Sequence, residues 1–292
     1  MIITASPESA ARRACLAAGL PHRSLTRLHE HATTVFLLPE AATVVRVGGA
    51  DQGQALERAI ALTRWLCARG FPATEPADVP QPFSTGTHTV TFWKHYPQPD
   101  GPAPDAGHLG AMLRALHALP LPPVPLPEFR PLAALEQRVA AGTSLSAHHR
   151  AWLTDRIEEL LVSYERLDSP LGPGLLHGDA YPGNTLWDGS SARLGDWDEA
   201  AFGPRELDLA NTYQGVRFGR TEQELERFGA GYGRDIRDWP GLPVLCRIRD
   251  LHTLGSYIRR ADAGDEAASA ELVRRLESLR SCSDTEVWAP AR

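Results

Sequence analysis

The sequence "LLHGDAYPGNTLWDGSSARLGDWDEA" occupies residues 175–200 and places His, Asp and Asn side chains between short apolar runs. Asp179 and Asn184 stand at the two ends of a loop, because the Pro-Gly pair between them interrupts regular structure. In such a loop the carboxylate can accept a proton, while the amide supplies an oxygen to a hard cation such as Mg²⁺. Asp196 follows a short strand and can add a second hard ligand. The stretch therefore predicts a site that combines proton transfer with Mg²⁺ binding.

The region before this stretch begins as a small α+β unit. Its alternating and β-branched runs predict three antiparallel strands near residues 24–30, 33–40 and 42–49 and a later strand near 87–96. Helices are predicted over 7–16 and 53–69, where apolar residues recur at helical spacing before glycine or proline. The pattern predicts a small sheet unit with one main helix.

The proline-rich segment 97–104 reads as a linker, because proline cannot continue a central strand. After the linker the pattern is mainly helical, with an apolar stripe near 109–116 and further helices near 153–164, 206–217 and 242–261. Ser146 is a candidate N-cap for the helix that includes residues 153–164. We therefore expect an α+β fold in two domains, 1–96 and 97–292.

Composition narrows the class of protein. The chain has 292 residues with a formal net charge of −6, which argues against nucleic acid as a partner. No apolar run is long enough to cross a membrane, and no signal peptide is expected. The four cysteines form no Cys-x-x-Cys pair, which predicts free thiols in a reducing cytoplasm rather than a zinc site or disulfides. The oligomeric state stays open.

The spacing of Asp179 and Asn184 matches the catalytic loop of kinases, in which an Asp precedes an Asn by five residues. The motifs "LLHGDAYPGN" and "LGDWDEAAFGPRELDLA" together resemble the aminoglycoside phosphotransferase family. The resemblance implies a protein-kinase-like bilobal fold. Residues 1–96 would form a small antiparallel-sheet N-lobe that binds nucleotide, and 97–292 a larger, mainly helical C-lobe that carries the catalytic loop, the metal and the acceptor. The implied cofactors are Mg²⁺ and ATP, with GTP as an alternative.

The resemblance also implies roles for individual residues. Asp179 would be the base that orients or deprotonates the substrate hydroxyl, and Asn184 and Asp196 would bind Mg²⁺. His177 would support the catalytic loop, and Asp208 would hydrogen-bond that loop from the start of a helix.

The nucleotide-binding residues implied by the resemblance fall in the first 96 residues. Arg46 stands where the family usually has a phosphate-pairing lysine, and Val44, on the same strand face, would pack over adenine. Glu57 is the nearest candidate for the glutamate that pairs with that lysine, although the best alignment of the helix places Ala59 there. Arg46 keeps the charge and can bind phosphate in a bidentate manner. The segment 29–34 lacks the glycines of a kinase phosphate loop, and the small residues Ala32 to Thr34 are the candidates to approach phosphate.

Two classes of function remain open at the level of sequence. The first is an ATP- or GTP-dependent kinase that phosphorylates a hydroxyl of a small molecule, with aminoglycosides and other antibiotics as candidate acceptors and resistance as a candidate role. The alternative is a kinase-like protein that binds nucleotide as a scaffold without catalysis, which Arg46 and Ala59 favour and the complete Asp179, Asn184 and Asp196 set opposes. A dehalogenase-type phosphatase would need a longer apolar strand before "DWD", and a protein kinase would need D-F-G and A-P-E motifs.

Overall fold

The computed structural model describes residues 6–30, 33–281 and 286–289. The chain divides into two compact units whose segments interleave along the sequence. The first comprises Met1–Asp105, Ala118–Pro127 and Pro182–Ala200, and the second Ala106–His117, Glu128–Tyr181 and Ala201–Arg292. The expected division into functional domains after residue 96 stays a prediction.

The first unit is built on a five-stranded antiparallel sheet. Its strands are β1 (Thr26–Glu30), β2 (Thr34–Leu38), β3 (Thr43–Gly49), β4 (Phe83–Ser84) and β5 (His88–Lys94), in the order β1-β2-β3-β5-β4. The predicted strands near 24–30, 33–40, 42–49 and 87–96 correspond to β1, β2, β3 and β5. The sequence did not indicate β4, which has only two residues and therefore no periodicity.

Two helices cover apolar surface in the first unit. Helix α1 (Pro7–Ala17) begins after Ser6, whose hydroxyl caps it by accepting a hydrogen bond from the Ser9 amide at 3.2 Å. It buries Ala10 and Ala14 in a core shared with strand residues such as Phe92. Helix α2 (Gly53–Ala68) buries Leu56, Ile60 and Thr63, which recur at the helical spacing that predicted it, and Cys67 is half-buried.

The first unit also contains a hairpin from the later part of the chain. Strands β6 (Pro173–Leu176) and β9 (Ala201–Pro204) belong to the second unit, whereas β7 (Thr185–Asp188) and β8 (Ser191–Leu194) pair with each other in the first. The β7–β8 turn needs Gly189, whose φ of 64° favours glycine. Leu194 fixes the hairpin to the unit by donating its amide to the Pro72 carbonyl at 2.8 Å and accepting from the Thr74 amide at 2.9 Å.

The second unit is mainly helical. Its helices are α3 (Ala106–His117), α4 (Ala133–Ala141), α5 (Ala147–Glu165), α6 (Glu206–Gln214), α7 (Glu222–Tyr232), α8 (Leu242–Asp262) and α9 (Glu266–Arg280). Helices α3 and α7 approach closely because glycine faces backbone there: a Cβ on Gly110 would lie 2.3 Å from the Phe228 carbonyl oxygen. The Ser146 hydroxyl caps α5 by accepting from the His149 amide, which confirms the predicted N-cap.

These elements confirm the expected α+β class, with a small antiparallel sheet before a mainly helical region. Cys15, Cys67 and Cys246 are free thiols, while Cys282 and Ala32 lie outside the described residues. Within the described part of the chain, no helix is both long and apolar enough to span a bilayer.

Candidate active site

The β7–β8 hairpin brings two predicted cation ligands to one end of its ladder. Asn184 directly precedes β7, and Asp196 follows the end of β8 by two residues. The register pairs Thr185 with Leu194, and the Gly195 amide donates to the Asn184 carbonyl at 2.9 Å. Antiparallel pairing is therefore the reason that two residues distant in sequence lie together.

Asp196 occupies a left-handed backbone conformation, with φ 62° and ψ 64°. For a residue other than glycine this conformation costs about 1–2 kcal/mol, so the surroundings must enforce it. The adjacent Trp197 supplies the restraint, since it is 1% exposed and its Nε1 donates to the Leu194 carbonyl at 2.8 Å. Its ring also meets the Phe71 ring edge-on at 5.8 Å. The short helix Trp197–Glu199 is thereby fixed, and with it the carboxylates before and after Trp197.

Arg46 lies on β3, between strands β2 and β5. Its Nη2 donates to Asp196 Oδ1 at 2.9 Å and to Asp198 Oδ2 at 2.9 Å, and its Nη1 lies 3.5 Å from Asp198 Oδ1. Burial by itself lowers the pKa of the guanidinium, but the carboxylates of Asp198 and Asp196 outweigh burial and raise the pKa above its usual value. Arg46 is therefore a fixed cation beside a predicted metal ligand.

These residues line a cavity of about 380 Å³ within the first unit. Val44 contributes to its apolar wall, and Arg46, Asn184 and Asp196 contribute polar groups. The full lining comprises Leu28, His29, Thr33, Val35, Val44, Arg46, Thr74, Trp93, Lys94, His95, Tyr96, Gln98, Gly183, Asn184, Leu186, Gly195 and Asp196. Its volume and its mixture of apolar walls with a few polar groups are typical of small-molecule sites.

Glu57 has a different position. It is exposed on α2 and is not among the lining residues of this cavity. Ala59, at the aligned position, is fully buried. Asp196 and Asp198 are the carboxylates bound to Arg46, so the proposed role of Glu57 stays a prediction without a supporting contact.

The donor atoms of Asn184 and Asp196 suit a hard divalent cation. Both side chains offer oxygen, the ligand atom that Mg²⁺ and Ca²⁺ prefer. Residues 6–30, 33–281 and 286–289 contain no group of three or more His, Cys, Asp or Glu side chains placed to hold a metal. Mg²⁺ commonly takes only one or two protein carboxylates and completes its shell with water and substrate phosphates. The residues present therefore fit a nucleotide-linked cation better than a site made only of protein ligands.

Asp179 belongs to the second unit and is held by two side chains that the sequence did not indicate. Its Oδ1 accepts from Arg249 Nη2 at 2.6 Å and from Asn211 Nδ2 at 3.1 Å. The Asp179 side chain is 26% exposed, whereas that of Arg249 is only 8% exposed. A carboxylate anchored by these two contacts keeps a defined orientation while it remains accessible to solvent.

Asp208 and His177 accept hydrogen bonds from the backbone of the loop that carries Asp179. Asp208, in the first turn of α6, accepts from the amides of His177 at 2.8 Å and Gly178 at 2.9 Å. It also lies 3.1 Å from His117 Nε2. Burial tends to raise the pKa of Asp208, but the hydrogen bond and charge of His117, with His177, outweigh burial and lower the pKa. The buried His177 in turn accepts the Asp179 amide on Nδ1 at 3.3 Å.

The contacts of Arg46 and Asp179 show what sequence reasoning missed. Asp198 follows Asp196 by two residues in "DWD", and no motif in the sequence assigns it a role. Asn211 stands one helical turn after Asp208 in "DLAN", a spacing that would have placed both on one face of α6. No local sequence pattern indicated the role of Arg249, because its partner Asp179 lies 70 residues away in the sequence.

Solved structures with this fold include several phosphotransferases. The chain is similar to an amicoumacin kinase, hAmiN, in complex with AMP-PNP, Ca²⁺ and Ami, at 12% identity over 92% of this chain and 91% of that one, with a TM-score of 0.72. A choline/ethanolamine kinase family protein from Mesorhizobium loti has 18% identity over 94% and 95%, with a TM-score of 0.66. Spectinomycin phosphotransferase APH(9)-Ia, in complex with ADP and spectinomycin, has 15% identity over 96% and 95%, with a TM-score of 0.63. At these identities the likeness shows the fold, and it confirms the kinase-like α+β prediction.

Comparison with curated protein sequences finds no match. The family profile described as "Phosphotransferase enzyme family" (APH) matches residues 24–245, which is most of the chain and includes β3, the loop at Asp179 and the "GDWD" segment. The chain therefore belongs to the phosphotransferase enzyme family.

Proposed function

We propose that this protein transfers the γ-phosphoryl group of ATP to a hydroxyl group of a small molecule. The observation that carries the proposal is the cavity of the first unit, where Arg46, Asn184 and Asp196 supply a cation and hard oxygen ligands beside apolar walls. This combination suits a nucleotide, which has an apolar base and a charged triphosphate. The complexes of hAmiN with AMP-PNP and Ca²⁺ and of APH(9)-Ia with ADP also support a nucleotide as the ligand.

The residues of the first unit would bind the nucleotide. Val44 would pack against the base, and Arg46 would donate to phosphate oxygens through its charged fork. Asn184 and Asp196 would hold Mg²⁺, which when bound neutralises charge on the transferring phosphates. Because such transfer needs little covalent chemistry from the protein, position and charge account for most of catalysis.

The residues of the second unit would act on the acceptor. Asp179 would orient the acceptor hydroxyl and take its proton, with Oδ1 held by Arg249 and Asn211. His177 and Asp208 would maintain the backbone of the loop. Aminoglycosides, other antibiotics and choline are the acceptors to test first.

A scaffold that binds nucleotide without transferring phosphate is the second candidate. The contact between Arg46 and Asp196 favours it, because a predicted metal ligand is already paired with a cation. The anchoring of Asp179 by Arg249 and Asn211 opposes it, because nucleotide binding alone does not need an oriented carboxylate in the second unit.

The Asp179→Asn variant separates the two candidates. A mass-spectrometric screen of acceptors with ATP or GTP and Mg²⁺ should find a product that carries one added phosphate. This product should not form when EDTA is present from the start. Asp179→Asn should bind Mg²⁺-ATP within a fewfold of wild type, because the nucleotide residues are elsewhere, yet turn over about 10²-fold or more slowly.

Asp155→Asn is the matched control, since Asp155 is an exposed aspartate of α5 in the same unit. It should retain full turnover. Tight Mg²⁺-ATP binding without phosphorylation of any acceptor would favour the scaffold. Full turnover by Asp179→Asn would show that Asp179 is not the base.

A further inference from the structure

Arg46 has two carboxylate partners, and they differ in exposure and in geometry. The Asp198 side chain is 22% exposed and has two contacts with the guanidinium, one to each terminal nitrogen. The Asp196 side chain is 47% exposed and has one contact with it. A fork-to-fork contact between arginine and carboxylate fixes direction as well as distance. Asp198 is thus better placed than Asp196 to determine where the Arg46 side chain points.

The position of Asp198 is itself fixed by packing. It belongs to the short helix Trp197–Glu199, which Trp197 attaches to the interior of the first unit. Arg46 is equally restrained, since it lies on β3 with a hydrogen-bonded strand on each side. Two restrained partners give an ion pair that does not depend on ordering long exposed side chains, unlike most surface pairs.

We infer that Asp198 is a positioning residue that holds Arg46 towards the nucleotide phosphates and leaves Asp196 available to the divalent cation. The inference rests on the proposed function. When a cation binds Asp196, the charge of that carboxylate is shared with the metal, so its attraction for Arg46 weakens. Asp198 then continues to hold the guanidinium, whose remaining N–H groups can donate to phosphate oxygens. In this chain, a carboxylate of the "DWD" segment supplies the anchoring that neither the exposed Glu57 nor the buried Ala59 provides.

A double-mutant cycle in nucleotide affinity tests the inference without relying on turnover. Calorimetry would measure the dissociation constant of ATP with Mg²⁺ and with EDTA for wild type, Asp198→Asn, Arg46→Met and the double variant. Asp198→Asn should weaken ATP binding about tenfold with Mg²⁺, because the loss of the charged contact leaves Arg46 misdirected. The effect should be smaller with EDTA, because Asp196 then still holds the guanidinium. Within the Arg46→Met background the same change should alter affinity less than twofold. Asp78→Asn, an exposed aspartate of the same unit, is the control and should bind as wild type does.

Each other outcome overturns the inference in a recognisable way. An Asp198→Asn effect that occurs only with Mg²⁺ and persists in Arg46→Met would make Asp198 a metal ligand. ATP binding within twofold of wild type in Asp198→Asn would show that Arg46 needs no anchor, while the proposed function would stand. A wild-type protein that binds no nucleotide would overturn both. If Asp198→Asn does not fold, Asp198→Glu replaces it in the same cycle, because it keeps the charge and moves the carboxylate by one methylene.

Discussion

At the scale of single residues, the ion pair between Arg249 and Asp179 is a strong constraint on the candidate base. The N–O distance is 2.6 Å, and the guanidinium is almost fully buried. Removal of one partner from a buried pair is costly because the other charge is left without compensation. Partial exposure of Asp179 reduces that cost, so we expect the main effect on orientation rather than on folding.

We predict that Arg249→Met lowers the turnover number by about tenfold to a hundredfold, because a small displacement of a reacting group can cost that much. ATP affinity should stay within twofold, since the residues that would bind nucleotide belong to the first unit. Steady-state kinetics with calorimetry on the same preparation provides both quantities. The control is Arg247→Met, because Arg247 is an exposed arginine on the same helix. An equal loss in both variants would show that the positive charge of α8 matters, rather than the contact with Asp179.

At the scale of elements, the short helix Trp197–Glu199 determines the position of two carboxylates through one buried ring. Trp197 contacts Phe71 edge-on and donates to the Leu194 carbonyl at the end of β8. Asp196 is in a strained left-handed conformation, and the anchored ring of the adjacent Trp197 restrains it there. Packing of one side chain thus connects the stability of the hairpin to the geometry of the cavity.

Trp197→Ala should destabilise the protein by about 3–5 kcal/mol, the usual cost of removing a large buried aromatic side chain. Trp197→Phe keeps most of the packing and loses one hydrogen bond, so we expect about 1 kcal/mol. Urea unfolding provides both values. Calorimetry under native conditions should show weaker Mg²⁺-ATP binding for Trp197→Phe. Unchanged stability of Trp197→Ala would contradict the assignment of the ring as the anchor.

At the scale of the whole molecule, His252 makes the stability of the folded protein depend on pH. Burial lowers the pKa of His252, the Arg249 cation lowers it further, and the Asp179 carboxylate partly offsets both, so that the pKa is about 4. The folded protein therefore keeps this imidazole neutral at a pH where the unfolded chain, with a pKa near 6.5, takes up a proton. Stability linked to His252 is complete above pH 6.5 and decreases as pH falls from 6.5 towards 4. The lowered pKa of Asp208 acts at more acidic pH, because that contribution is lost only below the ordinary aspartate range.

The free energy of unfolding should be about 2 kcal/mol lower at pH 5 than at pH 8 on account of His252. Urea titrations at the two values measure the difference. His252→Gln cannot titrate and should lose most of the pH dependence in this window. His148→Gln, at an exposed histidine of α5, should retain it. The same pH dependence in both variants would attribute the effect to other groups.

Much of the fold could be predicted from the sequence, because local patterns carry it. Alternation and β-branching predicted β1, β2, β3 and β5, and helical periodicity predicted α1 and α2 to within a few residues. Strand β4 and helices α4, α7 and α9 were not located from the sequence. Strand β4 is too short for a period, and helix α4 has only two buried residues, Leu135 and Val139. The division of the chain into interleaved units was not predicted either, because it depends on which distant segments pack together.

The sequence alone determined the chemistry available to the site, since Asp179, Asn184 and Asp196 lie in two short motifs whose residue types and order carry the family resemblance. Tertiary structure alone decided the partners of these groups. It paired Arg46 with Asp196 and Asp198, and Asp179 with Arg249 and Asn211. The physical reason is that a motif records neighbours along the chain, whereas an ion pair depends on distance in space. Strand pairing and helix packing bring together side chains that no local sequence pattern connects.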